Sequence, residues 1–121
     1  MDTSIQLWKP AGDVYFTLEP NMHRPISVAE LEAIVTNQLA ECTASQQAAF
    51  AQYRVPFYQL PLHRFGQIET AFVVAHLPNG ILYFEDVEEG FEISSLGKDG
   101  ALPDQGCSQF ELRHVLTQSG L

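Results

Sequence analysis

The sequence predicts a single α+β domain over residues 1–121, with the order ββ-αα-ββββ-α, a mainly antiparallel sheet, and helices packed on one face. Apolar residues recur at helical spacing after Ser27, whereas short β-branched and aromatic runs separated by turn residues follow Pro56. With 121 residues, of which 45% are hydrophobic, the chain has enough apolar surface for one ordinary core.

Two short runs open the chain, Ser4–Trp8 and Asp13–Leu18, and the residues between them include Pro10 and Gly12. This pattern predicts an N-terminal β-hairpin. The linker that follows contains Pro20 and a second proline five residues later, so it is not expected to form regular structure.

Ser27 and Glu30 form a capping-box pattern, which predicts a helix over Val28–Cys42. Its apolar stripe comprises Val28, Leu31, Ile34, Val35, Leu39 and Cys42. Thr43 begins another helix pattern, interpreted either as a separate short helix or as a kinked continuation, which ends before Pro56.

Four strands are predicted next. Pro61 interrupts the first, Phe57–Phe65, and predicts an edge strand or a bulge. The second is expected to place one set of residues on each face: Ile68, Thr70, Phe72, Val74 and His76 against Ala71, Val73 and Ala75. A tight turn at 78–80 leads to strands over Ile81–Phe84 and Phe91–Ser94.

The rest of the chain is predicted to be irregular over Ser95–Gly106 and helical at the end. Ser108 and Glu111 match a second capping box, and Gly120 would end the helix. A final strand is the alternative, because Phe110 and Leu112 alternate with charged residues.

Six Lys and Arg against fifteen Asp and Glu give a formal net charge of −9. Such a surface repels phosphates, so direct binding to nucleic acid or to an anionic membrane is not expected. The N-terminus lacks a signal-peptide pattern and no apolar run is long enough to span a bilayer, which favours a cytoplasmic location.

The acidic cluster is the most distinctive polar feature. Between residues 85 and 104 the only Lys or Arg is Lys98. The cluster consists of the seven carboxylates in this stretch: Glu85, Asp86, Glu88, Glu89, Glu92, Asp99 and Asp104. Three interpretations compete: a solvated strand edge, a surface for a basic protein, and a divalent-metal site. The spacing lacks the alternation of a Ca²⁺ loop, and we assign no metal, cofactor or catalytic residue.

The first functional hypothesis is therefore an acidic protein that neutralises or escorts a basic protein partner. Its most concrete form is a bacterial immunity protein against a nuclease toxin, and a secretion chaperone is a second form. The predicted partner-binding residues are Glu85, Asp86, Glu88, Glu89, Glu92 and Asp99. An open sheet face would add an apolar patch from Phe57, Tyr58, Tyr83 and Phe91.

The second hypothesis is a small enzyme or ligand-binding domain with a cleft between sheet and helices. His76 and Tyr83 are its candidate polar groups, and His76 is expected to be partly buried. A pocket joining either residue to Arg54 or Arg64 would favour this hypothesis.

Overall fold

The fold comes from a computed structural model that describes residues 24–106 and 109–121. Two helices, α1 (Val28–Leu39) and α2 (Ala44–Tyr53), precede four strands, and a third helix follows. The strands and the last helix are β1 (Arg54–Arg64), β2 (Gln67–Leu77), β3 (Gly80–Glu85), β4 (Gly90–Ser94) and α3 (Leu112–Gln118). The predicted N-terminal hairpin lies outside the described residues.

Both predicted caps of the first two helices are present. Ser27 Oγ accepts a hydrogen bond from the Glu30 backbone N–H at 3.1 Å, and the Glu30 carboxylate accepts one from the Ser27 N–H. Thr43 and Gln46 make the same reciprocal pair at the start of α2. α1 and α2 are therefore separate helices, which decides between the two alternatives for this segment.

The sheet is antiparallel throughout, in the order β1-β2-β3-β4, so the predicted α+β class is confirmed. β1 lies at an edge of the sheet, which is one of the two alternatives that Pro61 predicts. Its register is regular at Pro61 and shifts between Arg54 and Tyr58, around Pro56. Pro61 lacks an N–H, but its carbonyl accepts a hydrogen bond from Leu102 at 2.8 Å.

Two buried clusters cover the two faces of the sheet. On one face, Leu31 and Val35 of α1, Phe50 of α2 and the buried residues of α3 pack with Leu82 and Phe84. On the other face a smaller cluster contains Leu62, Ala71, Val73, Tyr83 and Leu102. Leu102 belongs to residues 101–106, here called the crossing segment.

The crossing segment runs from the β1 edge over the second face. Leu102 exchanges backbone hydrogen bonds with Pro61 and His63 of β1. Three residues later, the Gln105 amide donates to the Tyr83 hydroxyl and to the Ile93 carbonyl, both at 3.1 Å. This irregular stretch therefore serves as the second layer over part of the sheet.

The predicted alternation along β2 is wrong after Val73. The register shifts between Val73 and Ala75, which places two residues opposite Leu82 alone. This β-bulge puts Val74 and Ala75 into the same cluster on the helix face and leaves His76 exposed. His76 therefore does not share the face of Val74.

Two helix boundaries also differ from the predictions. α1 ends at Leu39, so the buried Cys42 lies in the connection to α2. α3 begins after Glu111, whose backbone N–H donates a hydrogen bond to Nδ1 of the His114 ring. Ser108, the predicted cap of this helix, lies outside the described residues. Phe110 forms an isolated bridge with Phe91 just before this helix, so the apolar alternation there marks one bridge rather than a strand.

The predicted open apolar patch is wrong for two of its members. Tyr83 and Phe91 are almost fully buried, because the crossing segment and the helices cover the two faces of the sheet. Within the described residues, no helix is long and apolar enough to cross a membrane.

Candidate functional site

Two hairpin turns lie together at one end of the sheet. The first is Phe65-Gly66 between β1 and β2, and the second spans residues 86–89 between β3 and β4. The antiparallel register places both turns at the same end, and Thr70 and Val87 line one small depression there. We call this region, together with Asp104, the acidic end.

A cleft of about 210 Å³ opens at the acidic end, on the sheet face away from the main helix cluster. Its walls come from β1, β3 and the crossing segment. The residues that line it include His63, Arg64, Phe65, Tyr83, Glu85, Glu88, Asp104 and Gln105. The cleft thus joins Tyr83 to Arg64, although the second hypothesis placed it between sheet and helices.

An ion pair forms the floor of this cleft. Arg64 Nη1 donates to both carboxylate oxygens of Glu85 at 2.6 Å, and the two side chains are only 10% and 7% exposed. Glu85 also accepts hydrogen bonds from the Val87 and Glu88 backbone N–H groups, which hold the β3–β4 turn. Glu85, one of the predicted partner-binding residues, is buried against Arg64.

The mouth of the cleft carries two more accessible carboxylates. Glu88 accepts a hydrogen bond from Arg64 Nη2 at 3.0 Å with its side chain 39% exposed. Asp104 is exposed and accepts from the Phe65 backbone N–H through Oδ2 at 3.0 Å. Among the lining residues, three carboxylates therefore face one guanidinium, and the cleft is net negative.

Phe65 stands at the lip of the cleft in an unfavourable backbone conformation. Its φ is 49° and that of Gly66 is 76°, so both residues of this two-residue turn are left-handed. Such turns prefer Asn-Gly, and a bulky residue there is an outlier. The Phe65 ring is 79% exposed, with the Arg64 guanidinium 5.2 Å from its centre.

Two further apolar side chains are exposed at the same end. Ile68, near the start of β2, is 67% exposed, and Val87 in the second turn is 46% exposed. Apolar groups surrounded by charged ones are the usual anatomy of a protein–protein interface. None of these three apolar residues was predicted from the sequence to belong to a binding site.

The other predicted partner-binding residues divide between the acidic end and the rest of the surface. Asp86 accepts a hydrogen bond from the Ile26 N–H at 2.8 Å, and Glu89 is exposed with a φ of 58°. Glu92 lies on β4 opposite Tyr83. Asp99 does not line the cleft itself but is bonded at 2.7 Å to Nε2 of His63, which does; this hydrogen bond lowers the pKa of Asp99.

The two candidate polar groups of the second hypothesis, Tyr83 and His76, do not line the same site. The Tyr83 hydroxyl lies at the cleft, whereas His76 is exposed elsewhere and its Nε2 is 2.7 Å from the Tyr58 hydroxyl. Within residues 24–106 and 109–121, no group of three or more His, Cys, Asp or Glu side chains is arranged to hold a metal ion.

The cysteine of the α1–α2 connection is a packing residue. Cys42 is a free thiol whose Sγ lies 3.5 Å from the Gln38 carbonyl, and burial raises its pKa. A raised thiol pKa disfavours the reactive thiolate, which agrees with its place in the core.

The chain matches no protein-family model, and neither the curated proteins nor the solved structures contain a significant match.

Proposed function

We propose that this protein binds a basic protein partner at the acidic end of its sheet, and so neutralises or escorts that partner. One observation carries the proposal: exposed Phe65, Ile68 and Val87 lie at the same end as the carboxylates of the β3–β4 turn and Asp104. Apolar anchors supply binding energy, and a surrounding field of one sign steers a partner of the opposite sign.

The charges available to a partner are fewer than the sequence alone indicates. Glu85 is already neutralised by Arg64, and Asp86 helps to fix the backbone at Ile26. Glu88, Glu89 and Asp104 are the more accessible carboxylates of the acidic end. We assign these three the role of attracting the partner.

A nuclease toxin is the most concrete partner, because a nuclease presents a cationic groove to its phosphate substrate. An acidic protein that occupies such a groove blocks the substrate, which would make this chain an immunity protein. A secretion chaperone for a basic client would use the same surface, but it would leave the catalytic activity of its client unchanged.

Two double variants test the proposal by affinity capture from a native lysate at low salt. E89K/D104K reverses charge at the acidic end, and E32K/E41K raises the net charge equally on the helical side. We expect the wild type and E32K/E41K to retain a basic protein in one-to-one ratio and E89K/D104K to lose it. Equal retention of that protein by all three would overturn the proposal.

A second candidate function is the binding of a small molecule in the cleft, favoured by the junction of Tyr83 with Arg64. The volume of about 210 Å³ is below the roughly 300–1,000 Å³ of typical small-molecule sites. Because Arg64 already binds Glu85 and Glu88, it is also poorly placed to hold an anionic substrate. The protein–protein proposal therefore has the stronger support.

A further inference from the structure

We infer that the cleft is a binding site for one guanidinium group, contributed by an arginine side chain of the basic partner. This inference rests on the proposed function and specifies its chemistry. It concerns the cavity between β1, β3 and the crossing segment, rather than the acidic surface as a whole.

The charges of the cleft select a cation. Arg64 is held by buried Glu85 and also donates to Glu88, whose other oxygen lies 3.4 Å from the Gln109 amide. Glu88, with its side chain 39% exposed, and the exposed Asp104 are the carboxylates that an incoming ligand meets at the mouth. Among the described residues, the Oδ1 atom of Asp104 has no hydrogen-bond donor, so it can accept one from a ligand. An anionic ligand would meet two carboxylates at the entrance instead.

The size of the cleft selects a single side chain. At about 210 Å³ it is smaller than the roughly 300–1,000 Å³ of typical small-molecule sites, which suits one side chain from a neighbouring protein surface. The Tyr83 hydroxyl and the Gln105 amide add polar groups to the wall.

The lip of the cleft favours guanidinium over ammonium. The Phe65 ring is 79% exposed and already has one guanidinium, that of Arg64, beside it. A guanidinium is planar, weakly hydrated and stacks on aromatic rings, and its five N–H donors can serve two carboxylates at once. An ammonium group is more strongly hydrated and lacks the planar face.

The test is an NMR titration of the whole protein with Nα-acetyl-arginine amide, compared with the matching citrulline and lysine compounds. We expect saturable amide shifts at the cleft residues with the arginine compound, weaker binding of lysine and none of citrulline. E88Q and D104N should each weaken arginine binding about two- to fivefold, because each removes one partly exposed ion pair. E41Q, in the connection between α1 and α2, should leave arginine binding unchanged.

Three results would overturn the inference: no saturable shift, binding of lysine or citrulline as tight as that of arginine, or full arginine binding by E88Q and D104N. Failure of the proposed function would look different. In that case the arginine compound would still bind in the cleft, while capture of a basic protein would not depend on the acidic end. Conversely, the guanidinium site alone would be excluded if the cleft gives no shift with the arginine compound while the wild type captures the basic protein and E89K/D104K does not. That result would leave the proposed function standing.

Discussion

Arg64 and Glu85 lie 2.6 Å apart at the floor of the cleft, 21 residues apart in the chain and nearly excluded from water. This pair joins β1, an edge strand, to the end of β3, and the hydrogen bonds of Glu85 to the following turn extend the link to residues 87 and 88. The most buried charge of the acidic cluster is therefore structural, and it shapes the cleft in which the remaining charges are presented.

Breaking this pair is expected to destabilise the protein strongly. R64M leaves Glu85 charged and buried without its partner, which should lower the free energy of unfolding by about 3–5 kcal/mol. R64M/E85Q removes both charges and should recover about 1–3 kcal/mol of that loss. Urea unfolding of the single and double variants measures both effects.

R113M is the control for this experiment. Its ion pair with Glu111 is half exposed, so the substitution should cost less than about 1 kcal/mol. If R64M lowers the free energy of unfolding by no more than R113M does, the Arg64–Glu85 pair has no structural role.

Replacing Phe65 is expected to raise the stability of the fold and to lower the affinity for the partner. F65N puts a residue that tolerates left-handed backbone at a φ of 49°, and it should raise the free energy of unfolding by about 0.5–1 kcal/mol after the loss of the contact with Arg64. The same variant removes an exposed ring from the proposed interface, so affinity for the partner should fall. Thermal unfolding and a binding isotherm on one preparation measure the two changes.

If F65N stabilises the protein and leaves partner affinity intact, Phe65 is not an interface residue. If F65N destabilises the protein instead, the backbone of the turn is not strained by the phenylalanine. Either result would contradict our interpretation of the lip of the cleft.

The N-terminal cap of α1 is expected to weaken in acid. The hydrogen bond from Arg24, followed by those from Ser27, lowers the pKa of Glu30 from 4.5 to about 2. Because the folded-state pKa is depressed, Glu30 stabilises the fold fully above about pH 4.5 and loses this contribution as the pH falls toward 2. The difference in free energy of unfolding between wild type and E30Q should shrink over this window.

E41Q serves as the comparison for the acid titration, since Glu41 lies exposed in the α1–α2 connection. Its difference from the wild type should not follow the Glu30 pattern. A wild-type–E30Q difference that stays constant between pH 4.5 and 2 would show that the cap does not depend on the Glu30 charge.

Much of the fold could be predicted from local patterns. Reciprocal caps at Ser27 and Thr43 mark both first helices, and the short turns between apolar runs mark the strands. The bulge after Val73 could not be predicted, because no glycine or polar residue marks it and its cause is the pairing with β3. Because the bulge was not predicted, His76 was expected on the same face as Val74, which is wrong.

The candidate site was predictable only in part. The acidic turn is visible in the sequence, but the burial of Glu85 depends on an arginine from another hairpin. Phe65 was interpreted as a strand residue, since an apolar side chain before a glycine extends the pattern of β1. The available signal was Phe-Gly at the point where a two-residue turn prefers Asn-Gly.

The central claim is that a basic protein is attracted to the acidic end. Its most direct test is the association rate constant of the purified, captured partner, measured as salt is raised, for the wild type, E89K/D104K and E32K/E41K. We expect a rate about tenfold or more lower for E89K/D104K at low salt with a flatter salt dependence, while E32K/E41K stays near the wild type. Equal rates and equal salt slopes for the wild type and E89K/D104K would contradict the account.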